Sequence, residues 1–167
     1  SVGTVTASNK VYDGSTSAVL SGGVLGGVVG IDVVTLGSLG GSFDTKNVGT
    51  GKTVSYSGST LSGADAANYQ ISAVSGSTTA DITARALSAS ATASNKVYDG
   101  NTTASVTLGD DRISGDILTL NHTVASFADK NVGNNKTVSV SGISASGADA
   151  ANYIGRASCP ARALSSP

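Results

Sequence analysis

The stretch SFDTKNVGTGKTVSYSG at residues 42–58 is answered by SFADKNVGNNKTVSVSG at residues 126–142. Each copy opens with a turn-rich half of Asp, Asn and Gly and then switches to strict alternation. KTVSYS (52–57) sets Val54 and Tyr56 against Thr53 and Ser55, the period of a strand with one covered face. STTADIT (77–83) places Ala80 and Ile82 on one face, and DILTL (116–120) sets Ile117 and Thr119 against Leu118 and Leu120. Turn signals recur about every eight to twelve residues, the rhythm of a β-sandwich, so each copy is expected to hold roughly seven strands.

Two further blocks repeat around this one. SNKVYDG stands at 8–14 and 94–100, and SGADAANY at 62–69 and 146–153. The first pair is offset by 86 residues and the other two by 84, which confines the length change to 15–31 against 101–115. That stretch is glycine-rich in the first copy and reads LGDDRISG in the second, the behaviour of a surface loop. The expected organisation is two tandem modules, 1–85 and 86–167, joined without a Pro or Gly hinge through ITARALSAS in an elongated, semi-stiff array. After GADAANY the second copy drops seven residues before ARAL returns, so its closing strand is expected to diverge.

Composition agrees with an all-β chain. All eleven acidic residues are Asp, and Ser, Thr, Gly, Ala and Val dominate over the straight-chain helix formers. With 39% hydrophobic and 13% charged residues the chain has the means to fold, around small aliphatic side chains and few rings. A net charge of −1 with ten dispersed Lys and Arg argues against nucleic acid as a partner. The longest apolar run, VLGGVVGI (24–31), falls far short of the ~20 residues that cross a bilayer, so no membrane insertion is expected. No secretory leader opens the sequence, which reads as an internal piece of something longer.

DAANY (65–69 and 149–153) has the Asp-x-Ala-x-Tyr pattern of a tyrosine corner, in which the hydroxyl bonds back to the backbone just before its strand. On this reading Asp65 and Ala66 turn the chain and Tyr69 opens the penultimate strand, with Asp149 and Tyr153 repeating the arrangement. The modules are then immunoglobulin-like sandwiches; the alternative is a β-grasp-like module with GADAAN as a short helix. In SNKVYDG, Val11 and Tyr12 are expected to pack inward while Asp13 and Gly14 turn the chain, Gly14 with φ above zero. Tyr98, Asp99 and Gly100 repeat these roles, so Tyr12 and Tyr98 are expected to be equivalently buried.

The inventory for catalysis is thin. His122 has no repeated counterpart, Glu is absent, and no Ser sits in a Gly-x-Ser-x-Gly elbow; no enzyme activity and no cofactor are expected, and His122 reads as an exposed strand end. Asp13, Asp44 and Asp65 recur as Asp99, Asp129 and Asp149 and read as turn residues, with a calcium site as the alternative. A second alternative is an intramolecular amide between Lys10 and Asn68, and between Lys96 and Asn152. NTT (101–103), NHT (121–123) and NKT (135–137) are acceptor sequons confined to the second copy. The single Cys159 permits no internal disulfide.

KVYDG, the F-x-DKNVG-x-x-KTV-x-V-x-G block and GADAANY together resemble the YDG domain, a tandem module of large bacterial surface proteins, including filamentous-haemagglutinin-like two-partner adhesins and related autotransporters. The first copy departs from the pattern, with FDTKN where the second has FADKN, which moves the acid from Asp129 to Asp44. The resemblance implies a secreted or cell-surface setting and a stalk or passenger role in adhesion rather than enzymatic work. Its implied partners are neighbouring repeats of the same chain, in an otherwise monomeric protein. The other reading has the modules bind a host glycan or protein through the variable loops Ser21–Gly30 and Gly109–Gly115.

Overall fold

A computed structural model of the chain describes residues 1–58, 60–72, 74–156 and 161–162. It is all-β: short strands in several sheets and, among the described residues, helical geometry only in two single 3₁₀ turns, Ala66–Asn68 and Ala150–Asn152. The GADAAN segment is therefore one turn in each copy. The chain divides into two compact units, Ser1–Thr83 and Ala84–Pro167.

In the first unit the strands are β1 (Val5–Ala7), β2 (Lys10–Val11), β3 (Ser17–Ala18), β4 (Leu20–Gly22), β5 (Thr35–Leu36), β6 (Gly40–Phe43), β7 (Gly49–Gly58), β8 (Leu61–Ser62) and β9 (Val74–Thr83). The two alternating stretches of sequence form the two longest strands, β7 and β9, which pair antiparallel through the middle of a sheet ordered β2-β9-β7-β6-β3. The end of β9 lies between β2, to which it runs parallel at Lys10↔Ile82 and Val11↔Thr83, and the start of β7. The pairs β1–β4 and β5–β8 form two smaller ribbons. One face of the large sheet supplies the core: Phe43, Val54, Ala80 and Ile82 are buried, together with Val5 and Tyr12.

The second unit holds β10 (Arg85–Ala93), β11 (Val106–Asp110), β12 (Thr119–Asn121), β13 (Val124–Phe127), β14 (Thr137–Ser141), β15 (Ser144–Ser146), β16 (Tyr153–Arg156) and β17 (Ala161–Arg162). β10 pairs antiparallel with β11 in its second half and parallel with β16 in its first. Ala91, Ala93 and Val106 from that sheet pack against Ala125, Phe127, Val138 and Val140 of the β13–β14 sheet, with Ala104 between. Two sheets thus face each other across a core of small side chains. Residues 116–118 do not join a strand: Leu118 is buried and Ile117 exposed just ahead of β12.

The two copies of SNKVYDG do not have the same surroundings. Tyr12 is buried at 1% exposure, beneath the Tyr12 N–H bond to the Thr83 carbonyl (2.8 Å) and with the Lys46 ammonium 5.8 Å over its ring. Tyr98 is 57% exposed, which corrects the expectation of equivalent burial. Val11 is also exposed rather than packed inward. The physical reason is the closing strand. β9 runs along β2 in the first unit, whereas no strand pairing among the described residues of the second engages Lys96–Val97, and β17 pairs with Thr137–Val138. Removing the Tyr12 ring should cost about 3–5 kcal/mol, as for a buried aromatic, while the same truncation of Tyr98 should cost under about 1 kcal/mol. Chemical unfolding of Tyr12→Ala and Tyr98→Ala, followed by backbone signals from each unit, measures the difference.

Candidate functional site: three recurring loop clamps

The repeated motifs place their polar side chains on loops, and each motif closes a different one. In SNKVYDG the clamp is Lys10. Its ammonium donates to Asp13 Oδ1 (2.8 Å), to the Ser15 carbonyl and hydroxyl (2.8 and 3.1 Å) and to the Ser17 carbonyl (3.0 Å), and sits 5.5 Å from the centroid of Phe43. Asp13 Oδ1 also accepts from the Ser15 N–H and hydroxyl. Gly14 takes φ +77°, and Gly100 φ +79°, so the turn between these groups needs a residue without a Cβ. Lys96 repeats the cage on Asp99 (2.8 Å), the Asn101 side-chain oxygen (2.8 Å) and the carbonyls of Asn101 and Thr103 (3.0 Å each), 5.7 Å from Phe127. Asn101 stands where the first copy has Ser15, with the geometry kept. The Ser15 hydroxyl beside a lysine is thus a loop contact that another side chain replaces.

The second clamp closes the turn ahead of β7. Lys52 pairs with Asp44 (2.8 Å) and donates to the Thr45 hydroxyl (2.7 Å). In the other copy Lys136 pairs with Asp129 and donates to the Asn131 carbonyl (2.7 Å). The acid has moved by one position between FDTKN and FADKN, yet the equivalent lysine finds it in both. A long flexible side chain tolerates that shift.

The third clamp is the longest in reach. The Tyr69 hydroxyl accepts from the Val29 N–H (2.9 Å) and donates to Asp32 Oδ2 (2.7 Å), while Asp65 Oδ2 accepts from the Val33 N–H (2.8 Å). Tyr153 does the same with Ile113 (2.9 Å) and Asp116 (2.6 Å), and Asp149 with Ile117 (2.9 Å). This corrects the tyrosine-corner expectation: the hydroxyl reaches a loop 37 to 40 residues upstream, not the backbone just before its strand. Gly63 precedes the turn at φ +116°, where a Cβ would strike the Val33 carbonyl. The glycine of GADAANY is thereby fixed by close approach. Asp149 and Asn152 are buried, as is Tyr153.

Asp32 and Asp116 were not among the candidate residues read from the sequence. Their signal was present in DVVTL (32–36) and DILTL (116–120), which match at the common offset of 84. The second unit adds a clamp of its own. Arg112 forks onto Asp110, with its Nε 2.7 Å from Oδ1, and donates to the Leu118 carbonyl (2.5 Å).

Asp13, Asp44 and Asp65 each serve a separate loop, as do Asp99, Asp129 and Asp149, and the described residues contain no group of three or more His, Cys or Asp that could hold a metal ion. Lys10 and Lys96 are committed to loop oxygens rather than to Asn68 and Asn152. His122 is exposed just past β12. Asn101 is held by Lys96, Asn121 ends β12, and Asn135 sits at a turn with φ 53°. Cys159 lies outside the described residues. Among those residues no helix is long and apolar enough to cross a membrane.

The YDG domain family matches residues 1–80 and again 83–159, nearly the whole chain in two segments, and the chain belongs to that family. No curated protein and no solved structure matches it.

The clamps set the electrostatics. Partial burial pushes the Asp13 carboxyl up, but the hydrogen bonds from Lys10 and Ser15 outweigh it and hold the group below the ordinary 3.8. Lys52 and the Thr45 N–H depress Asp44, Lys96 and the Asn101 N–H depress Asp99, and Lys136 and the Asn131 N–H depress Asp129. At Tyr69 the Val29 N–H pulls the hydroxyl down, and the bond to Asp32 together with desolvation raises it overall. Carboxyls depressed on folding stabilise the native state above their unfolded value and lose that contribution as pH falls through the folded one. Melting temperature should therefore be flat, for these groups, from about pH 5 to 8 and fall below about pH 4. A Tm series from pH 8 to 2 checks this, and Asp13→Asn with Asp99→Asn should flatten the acid limb.

Proposed function

We propose that the chain is a repeated structural part of a secreted bacterial cell-surface adhesin, a stalk or passenger segment that holds a distal binding region away from the cell and so supports adhesion. The observation that carries this reading is where the recurring charge goes. Lys10, Lys52, Asp65 and their counterparts are engaged in closing loops of their own unit. Side chains used in this way give a module that survives as a spacer, and they leave the work mechanical rather than catalytic. Neighbouring domains of the same protein are its partners in this role, with no cofactor. The resemblance of KVYDG and GADAANY to the YDG modules of large bacterial surface proteins supports the setting.

One observation favours a second reading, in which a module itself binds a host glycan or protein. In the first unit Val24, Val29 and Ile31 are exposed on the variable loop, Ile31 at 97%, and the loop end is pinned by Tyr69. A fixed apolar tip is a recognisable contact surface. Titration of the immobilised chain against glycan arrays and host-cell monolayers separates the two. The spacer reading expects no saturable binding. Saturable binding that Ile31→Asp abolishes would overturn it in favour of the loop.

A further inference from the structure

The two units treat their first strand differently. β10 is paired twice: its second half runs antiparallel to β11, and its first half, Arg85–Ser88, runs parallel to β16 at Tyr153–Arg156. In the first unit β1 keeps the antiparallel half, with Val5↔Gly22 standing where the second unit has Ala91↔Leu108, each 86 residues on. The parallel half is not made there. Residues 69–72, which answer Tyr153–Arg156 at the offset of 84, join no strand, and among the described residues no hydrogen bond engages Gln70, Ile71 or Ser72.

The edge is nonetheless set for a partner. Tyr69 has φ −123° and ψ 149°, against −124° and 148° at Tyr153, so the backbone leaves the 3₁₀ turn in the same extended direction in both units. Gln70 and Ser72 are exposed and Ile71 is half-buried. Extended main chain without partners is a template for one more strand. The second unit shows what such a strand carries. Leu87 is 3% exposed and lines an apolar pocket with Leu120, Ala145 and Tyr153. Counting back by 86 puts Ser1 at the position of Leu87, and Leu36, Leu61 and Tyr69, which stand for the three pocket residues, are half-buried. A serine supplies little of the apolar area that Leu87 buries. Ser1 is held against Gly26, its ammonium on the Gly26 carbonyl (3.1 Å) and its own carbonyl accepting from the Gly26 N–H (2.7 Å).

We propose that residues 69–72 are an acceptor edge for the strand that leads out of a preceding YDG domain, a segment with the Arg-Ala-Leu pattern of Arg85–Leu87. The segment adds parallel to 69–72, as Arg85–Ser88 adds to β16. Main-chain bonds hold it, and its leucine covers Leu36, Leu61 and Tyr69 and supplies selectivity. The first sheet of a module is then completed by the linker that enters it. The identity of the donor rests on the spacer reading, in which neighbouring domains are the partners; the edge itself rests on the strand pairing.

The test places Ile-Thr-Ala-Arg-Ala, copied from residues 82–86, ahead of the full chain and adds Ser1→Leu. Hydrogen exchange read by NMR should slow at amides within 70–72 by about tenfold or more, the protection of a newly made backbone bond. The same extension with Ser1 kept should give less. An extension of equal length with proline at the positions of Arg85 and Ala86 should give none, since proline cannot donate to the ladder. Unchanged exchange at 70–72, or equal protection from the proline version, would overturn the proposal. So would protection of these amides in the unextended chain: if constant, its own residues occupy the edge, and if it rises with concentration, another copy does. None of these failures touches the spacer reading, which is decided by the glycan and cell-binding titrations.

Discussion

The hydroxyl of one tyrosine per unit connects parts of the chain that nothing local would bring together. Tyr69 reaches Val29 and Asp32, and Tyr153 reaches Ile113 and Asp116. Closing a segment of this length is unfavourable in chain entropy, though only slowly more so as the segment grows. A hydroxyl that accepts and donates at once, beside a carboxylate that accepts a second N–H, offsets that loss at a single point. Because both anchors lie at the end of the variable loop, residues before Val29 and Ile113 are free to differ in number and kind. The two-residue difference between the copies falls in that stretch.

The lysine clamps act at shorter range. Lys10 and Lys96 each gather oxygens from the next seven residues, so they fix a turn rather than a topology. Their ammonium groups sit over the rings of Phe43 and Phe127, which ties the turn to the core. The tolerance of this arrangement is visible in its substitutions: Ser15 gives way to Asn101, and Asp44 to an acid one place further on, with the pairing retained. Geometry of this kind follows from where the lysine is rooted more than from any single acceptor.

Much of the fold was legible because its signals are local. Alternation in KTVSYS and STTADIT marked β7 and β9, and Asp-Gly marked the turn at Gly14. The target of the tyrosine hydroxyl was not legible. Asp32 and Asp116 lie in a stretch whose flank diverges, and no local pattern links them to residues 69 and 153. The misjudged Tyr98 shows the same limit from another side. Seven identical letters were read as one environment, but the strand that pairs beside Tyr12 in the first unit, ending at Ile82 and Thr83, comes from some 70 residues away. A local motif specifies its own turn and leaves its cover to the rest of the chain.

The most direct measurement is a double-mutant cycle on Tyr153→Phe and Asp116→Ala in the full chain, read by chemical unfolding of the second unit. If the clamp organises the loop, the two substitutions are coupled by roughly 0.5–3 kcal/mol, since each removes the other's partner. Effects that add within about 0.3 kcal/mol would place the two side chains outside a common interaction and contradict the account.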